Sequence, residues 1–164
     1  MSKVIFLIGG NLGDRVKILK DSINYLESEI GEISQVSSIF ETEPWGFTHE
    51  LNFLNQVVVA ETDLSPVQVL DRTQSIEQRM GRIRKKNRYS ERTIDIDILF
   101  YDKQIFQSDR LELPHPRLQE RMFALMPLNE IVSDLVHPVF NKTIGQIMDE
   151  CDDKLEVKRF VPET

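Results

Sequence analysis

Two aspartates one residue apart, Asp95 and Asp97, stand in the run Thr93-Ile94-Asp95-Ile96-Asp97-Ile98-Leu99-Phe100, where isoleucines fill the alternate positions. In a strand alternate side chains share a face, so both carboxylates point one way while Ile94, Ile96 and Ile98 point the other. Like charges about 6.5 Å apart in a partly dry site repel by roughly 2 to 3 kcal/mol at an effective dielectric near 20, so a cation is expected there. Just upstream, seven basic residues (Arg79, Arg82, Arg84, Lys85, Lys86, Arg88 and Arg92) accompany one acidic residue, Glu91. That stretch carries six net positive charges within a chain of total charge −7, which leaves the remainder at −13. Magnesium prefers one or two carboxylates plus phosphate oxygens, and arginine forks match phosphate geometry, so the pattern suits a nucleoside triphosphate. Charge pattern alone fits equally a solvated basic loop followed by an edge strand with a wet polar face.

The elements that must position these residues are legible in order. Lys3 to Gly9 reads as a buried strand ending at a glycine pair. The turn Gly9-Gly10-Asn11-Leu12-Gly13-Asp14 lacks the Lys-Ser/Thr ending of a phosphate loop, and Asp14 suits the start of a helix. Val16, Leu19, Ile23, Leu26 and Ile30 recur at helical spacing until Gly31 closes the helix. Ile33 to Glu43 reads as a strand and Asn52 to Thr62 as another. Between them lies a connection long for a hairpin, carrying Trp45, Phe47 and His49. Ser65-Pro66-Val67-Gln68 forms a capping box with proline in the first turn, and Val69, Thr73, Ile76 and Met80 make the buried stripe of the helix that Gly81 ends.

Strand, helix, strand, strand, helix, strand is the split βαβ order of ferredoxin-like folds. The chain is therefore read as α+β, with a βαββαβ core, an antiparallel sheet, additional C-terminal elements and three α/β/α layers. The Asp strand is expected inside that sheet. Beyond it, Asp102-Lys103 reads as a turn into Gln104 to Phe106. In Leu113-Pro114-His115-Pro116-Arg117, two prolines aim His115 beside an arginine and make it a ligand candidate. Leu118 to Ile131 reads as an amphipathic helix interrupted by Pro127, and Thr143 to Glu150 as a short helix. His137-Pro138 reads as a turn without chemistry, and the tail after Asp152 gives no signal.

Length and composition bound the rest. A chain of 164 residues with 40% apolar and 29% charged content is read as one globular domain, 1–164. A single cysteine, Cys151, excludes an intramolecular disulfide or a thiolate cluster, so a reducing, cytoplasmic setting is expected. The early apolar run Val4 to Ile8 is too short for a leader or a membrane span, and the acidic balance argues against nucleic acid as a general partner. On residues alone, a magnesium-dependent nuclease or other phosphoryl or nucleotidyl transferase competes with a ferredoxin-like RNA-binding module. Such a module would carry aromatics on an open sheet face where this chain carries aspartates.

At this point the chain strongly resembles the 6-hydroxymethyl-7,8-dihydropterin pyrophosphokinases of folate biosynthesis. The resemblance rests on Gly9-Gly10-Asn11-Leu12-Gly13-Asp14, Thr42-Glu43-Pro44-Trp45-Gly46, Phe53-Leu54-Asn55, Gly81-Arg82-Ile83-Arg84, Arg92-Thr93-Ile94-Asp95-Ile96-Asp97-Ile98-Leu99, Pro114-His115-Pro116-Arg117 and Glu120-Arg121-Met122-Phe123. It implies transfer of the β,γ-diphosphate of ATP to the hydroxymethyl group of the pterin by a monomer. Asp95 and Asp97 would hold a pair of Mg²⁺ ions between the substrates, with Arg82 and Arg92 joining them as catalytic positions. Arg84, Arg88, Ile98, Arg110, His115 and Arg121 are implied at the nucleotide. Thr42, Glu43, Pro44, Trp45, Asn55 and Asp95 are implied at the pterin, with Phe53 and Phe123 sandwiching its ring. The loop from Arg82 to Arg92 would be mobile and close over the triphosphate. Glu77 matches a recurrent acidic position that would orient an arginine. Gly10, Tyr89, Ser90 and Gln119 depart from the common pattern without removing a charge from the site.

Overall fold

The computed structural model describes residues 1–43, 52–81 and 93–162. Its first seven elements are β1 (Ser2–Gly10), α1 (Arg15–Glu29), β2 (Glu32–Val36), β3 (Ile39–Thr42), β4 (Phe53–Thr62), α2 (Pro66–Arg79) and β5 (Asp95–Tyr101). They are followed by β6 (Phe106–Gln107), β7 (Glu112–Leu113), α3 (Met122–Val132), α4 (Ile144–Glu150) and β8 (Lys158–Phe160). The expected features at Pro44, Trp45, Arg82, Arg84, Arg88 and Arg92, and the expected closure of the basic loop, lie outside the described residues.

The main sheet runs β5-β1-β4-β3-β8, with β2 also on β4, and every described pairing within it is antiparallel. The strand expected over Ile33 to Glu43 is two strands. At the break, the Ser37 N–H donates to the Val57 carbonyl at 2.9 Å and the Ser37 hydroxyl accepts the Val57 N–H at 2.9 Å, so a side chain stands in for one rung of the ladder. Taken together, β2 and β3 complete the ferredoxin-like βαββαβ order.

Alternation along the strands divides the interior into two layers. Phe6, Ile8, Val58, Ile96 and Ile98 pack under Leu19 and Leu26 of α1 and Val69 and Ile76 of α2. Leu7, Val57, Val59 and Leu99 pack under Leu125 and Leu128 of α3 and Ile144 and Ile147 of α4. Helices thus pack on both faces and the arrangement is α/β/α, unlike the RNA-binding module with one open aromatic sheet face. Ser65 and Gln68 form the expected reciprocal capping box, and Asp14, read as a charge at the helix start, also caps it, its carboxylate accepting the Lys17 N–H. No helix among the described residues is long and apolar enough to cross a membrane.

Two expectations are corrected, and two further stretches gain detail. The Asp strand β5 lies at the edge of the sheet as described, because among the described residues only β1 pairs with it. Pro127 does not interrupt the helix; it sits inside α3, while the break falls at Arg121, between a short 3₁₀ turn (Leu118–Glu120) and Met122. His137 opens a turn, as read, with the Asn141 N–H donating to its carbonyl at 2.8 Å; its ring is buried, stacks on Phe140, and accepts the N–H groups of Val139 and Phe140 at Nδ1. The tail is structured as well, with β8 adding a strand beside β3, so that Ile39 faces Phe160 and Glu41 faces Lys158.

Candidate active site

A cavity of about 890 Å³ opens at one end of the sheet, on the face that carries α3. Its floor follows from register. Asp97 pairs with Leu7 and Asp95 with Gly9 across β5 and β1; Gly9 pairs in turn with Asn55, and Phe53 with Thr42, across β1, β4 and β3. Because these residues share one face, the two carboxylates, the Asn55 amide and the Phe53 ring come to the same cavity, which Leu7 floors. The isoleucines that alternate with the aspartates are buried in the opposite layer, Ile94 at 0%, Ile96 at 6% and Ile98 at 5% exposure. The side chain of Ile98 is therefore core, on the face away from the carboxylates.

Gly9 has a reason beyond ending a strand. A Cβ built there would lie 2.1 Å from the Asn55 Oδ1 and 2.8 Å from the Leu54 carbonyl oxygen. The missing side chain lets the buried Asn55 amide lie against the backbone of β1.

The open edge of β5 is occupied from two directions. The buried Glu77 of α2 accepts the Ile96 N–H at 2.9 Å, between the two aspartates. Where β1 and β5 shift register, Phe6 faces Ile98 and Ile5 faces Phe100, so Leu99 is an extra residue on β5. The Leu99 carbonyl accepts the His115 N–H at 2.9 Å, which fastens the Pro-His-Pro loop beside the Asp strand.

His115 is half-buried and its Nδ1 accepts the Arg117 N–H at 3.2 Å, so in the neutral ring the proton is on Nε2. Burial, and then the charges of Arg121 and Arg117, lower its pKa from 6.5 to about 4, and the ring is neutral near pH 7. The Arg121 guanidinium lies 5.6 Å from the centroid of the Phe123 ring, a cation–π contact at the start of α3.

Of the residues expected at the site, Thr42, Glu43, Phe53, Asn55, Asp95, Asp97, His115, Arg121 and Phe123 line this one cavity. Arg110 does not; its guanidinium bonds Asp71 at 2.6 Å and Gln74 at 3.2 Å on α2. The cavity adds residues that the sequence reading did not assign: Leu7, Gly9, Arg117, Glu120 and Leu155. Arg117 and Glu120 stand in motifs already noticed, and a charged residue beside an aimed histidine was the available signal.

Among the described residues no group of three or more His, Cys, Asp or Glu side chains is placed to hold a metal by itself. Two half-buried carboxylates are hard oxygen donors suited to Mg²⁺, which takes its other ligands from phosphate and water. The donor set therefore fits magnesium brought together with a phosphorylated substrate.

Known proteins resemble this chain over most of its length. The profile of the 7,8-dihydro-6-hydroxymethylpterin-pyrophosphokinase (HPPK) family matches residues 5–133. The 2-amino-4-hydroxy-6-hydroxymethyldihydropteridine pyrophosphokinase of Aquifex aeolicus is 36% identical over 150 residues, 92% of this chain and 92% of that protein. The enzyme of the same name from Porphyromonas gingivalis is 43% identical over 143 residues, 84% of this chain and 95% of that protein. The crystal structure of Plasmodium falciparum HPPK-DHPS with pteroate superposes with a TM-score of 0.75 at 19% identity, covering 91% of this chain and 42% of that longer one, which is a likeness of fold. The chain belongs to the 7,8-dihydro-6-hydroxymethylpterin-pyrophosphokinase family.

Proposed function

We propose that this chain transfers the β,γ-diphosphate of ATP to the hydroxymethyl group of 6-hydroxymethyl-7,8-dihydropterin, giving AMP and the pterin diphosphate. Membership of the family makes it an ATP-dependent, magnesium-dependent pyrophosphokinase of folate biosynthesis. The observation that carries the residue roles is the meeting, in one cavity, of the Asp95–Asp97 carboxylates with an aromatic pair and a buried amide.

The pterin hydroxyl oxygen attacks the β-phosphorus, the bond from that phosphorus to the oxygen bridging to the α-phosphate breaks, and AMP departs with that oxygen. Little covalent chemistry is asked of the protein, so its work is positioning and charge. Asp95 and Asp97 would hold the metal, and two ions are proposed because two phosphoryl groups move together. Bound magnesium supplies neutralisation of the charge that builds on the bridging and equatorial oxygens. Neutral His115 would donate from Nε2 to a phosphate oxygen, and Arg121, with the arginines Arg82, Arg84, Arg88 and Arg92, would add charge-assisted bonds. Arg110 would have to exchange Asp71 for the nucleotide in order to take part.

At the other end, the Asn55 amide with Thr42 and Glu43 would read the polar edge of the pterin, and Phe53 and Phe123 would stack on its faces. Pro44 and Trp45 are assigned to the same end. Action as a monomer is part of the same proposal.

The decisive measurement is the nucleotide product with ATP, Mg²⁺ and the pterin. AMP in equal amount to the pterin diphosphate is expected; ADP would mark an ordinary kinase and overturn the assignment.

A further inference from the structure

The helix carrying Arg121 and Phe123 does not cap itself. Arg121 is the residue before the first turn of α3, and its side chain makes no capping bond. The cap comes from far along the chain: Asp153 Oδ2 accepts the N–H of Met122, between Arg121 and Phe123, at 2.9 Å. The other oxygen, Asp153 Oδ1, accepts the Leu155 N–H at 2.9 Å, which folds the segment back so that Leu155 lines the cavity. Leu155 also borders a small cleft with Glu43 and Asn52, at the end of the cavity assigned above to the pterin. Beyond it the chain is pinned again, since Lys158–Phe160 pairs with β3, the strand that ends in Thr42. The segment after α4 is thus tied to the α3 wall at one end and to the β3 wall at the other, with Leu155 between.

Resting on the proposed pterin and nucleotide ends, we infer that Asp153 is a positioning residue for Arg121 and Phe123, and that Leu155, held by the same carboxylate, is an apolar wall of the pterin subsite. A carboxylate is suited to this place because it satisfies an N–H that a helix start leaves open and because its charge complements the positive end of the helix dipole. Two oxygens with two different backbone partners fix the helix start and the wall relative to one another.

The test uses the full chain and two probes measured separately by calorimetry, 6-hydroxymethylpterin and a non-hydrolysable ATP analogue with Mg²⁺, at a temperature where each variant is folded. Asp153→Ala is expected to weaken both probes, by about fivefold, the size of effect a lost helix cap has. Asp153→Asn, which keeps one acceptor oxygen and so restores one of the two bonds, should recover part of that loss. Leu155→Ala leaves the cap in place, keeps the variant series informative should Asp153→Ala not fold, and should weaken the pterin alone. A merely structural role would lower the melting temperature and leave both affinities unchanged. Wild-type affinities in Asp153→Ala, or wild-type pterin affinity in Leu155→Ala, would overturn the inference while the functional reading stands. A wild-type chain that binds no pterin overturns that reading and this inference with it.

Discussion

The carboxylate of Glu77 accepts the backbone N–H of Ile96 at 2.9 Å, at the one residue that separates Asp95 from Asp97. β1 bonds one edge of β5, and a buried acid from α2 takes the other, so the strand presenting both site carboxylates is held from both sides. Glu77 thereby acts on the backbone that sets the spacing of the aspartates.

Removing that acceptor strands a buried donor, which costs about 1 to 3 kcal/mol. Glu77→Ala should therefore lower unfolding stability by that amount in urea titration and reduce turnover, because β5 loses its outer partner. Glu77→Gln keeps an oxygen in place and should retain most of the stability. Equal loss in both variants would mean that the charge of Glu77, rather than its bond to Ile96, is what the fold uses.

Asp97→Ala should behave in the opposite way. Taking one carboxylate from a pair that repels its neighbour should leave folding intact, while removing several kcal/mol of metal-assisted stabilisation should lower AMP production by about three powers of ten. Thermal unfolding and AMP formation measured on the same preparation decide between the two effects. An unfolded variant would give Asp97 a structural role.

His115 gives the site a pH signature. Its folded pKa, about 4, lies below the unfolded value of 6.5, so the unfolded chain binds the proton first as pH falls. The sign follows: this residue leaves stability unchanged above about pH 6.5 and lowers it progressively as pH drops from there toward 4. Burial also lowers the pKa of His137, so the contribution of His115 must be read as a difference. His115→Gln should flatten the decline relative to wild type in thermal unfolding between pH 4 and 7. A bound triphosphate should raise the His115 pKa, because phosphate charge favours the imidazolium, and its ring proton shifts in NMR titration would show the change directly. A titration midpoint near 6.5 in the free protein would contradict the burial that holds the ring neutral.

Much of this architecture is legible in the chain because it is local. The Ile-Asp alternation gives the two faces of β5, the Ser65–Gln68 box gives the start of α2, and the apolar spacing from Val16 to Leu26 gives the face of α1. What escapes the sequence depends on partners distant in the chain. Ser37 breaks a strand by substituting its hydroxyl for a rung against Val57, and Gly9 is required by an amide that belongs to Asn55. The break before α3 falls at Arg121 because the cap is Asp153, thirty-one residues beyond the Met122 N–H it accepts, and no pattern around Pro127 carries that information. β8 is three residues long and rich in charge, so neither alternation nor hydrophobicity marks it. Which strand lies at the sheet edge is likewise a property of the topology and not of the Asp-x-Asp run.

Phe123 separates pterin binding from nucleotide binding. Its ring is half-buried at the first turn of α3, lines the cavity with Phe53, and carries the Arg121 guanidinium near one face. A flat heteroaromatic gains both area burial and offset stacking from such a ring, and truncating an aromatic wall of a ligand site costs about 1 to 3 kcal/mol. Phe123→Ala should weaken 6-hydroxymethylpterin binding by that amount in calorimetry. The loss of an ATP analogue with Mg²⁺ should be far smaller, because Arg121 keeps its charge and the carboxylates on β5 are untouched. Phe123→Leu restores apolar area without a π-face, so it should recover only part of the pterin affinity; full recovery would mean that burial, and not stacking, holds the ring. Equal weakening of both ligands in Phe123→Ala would show that the side chain supports the start of α3 as a packing residue and that the pterin is clamped elsewhere.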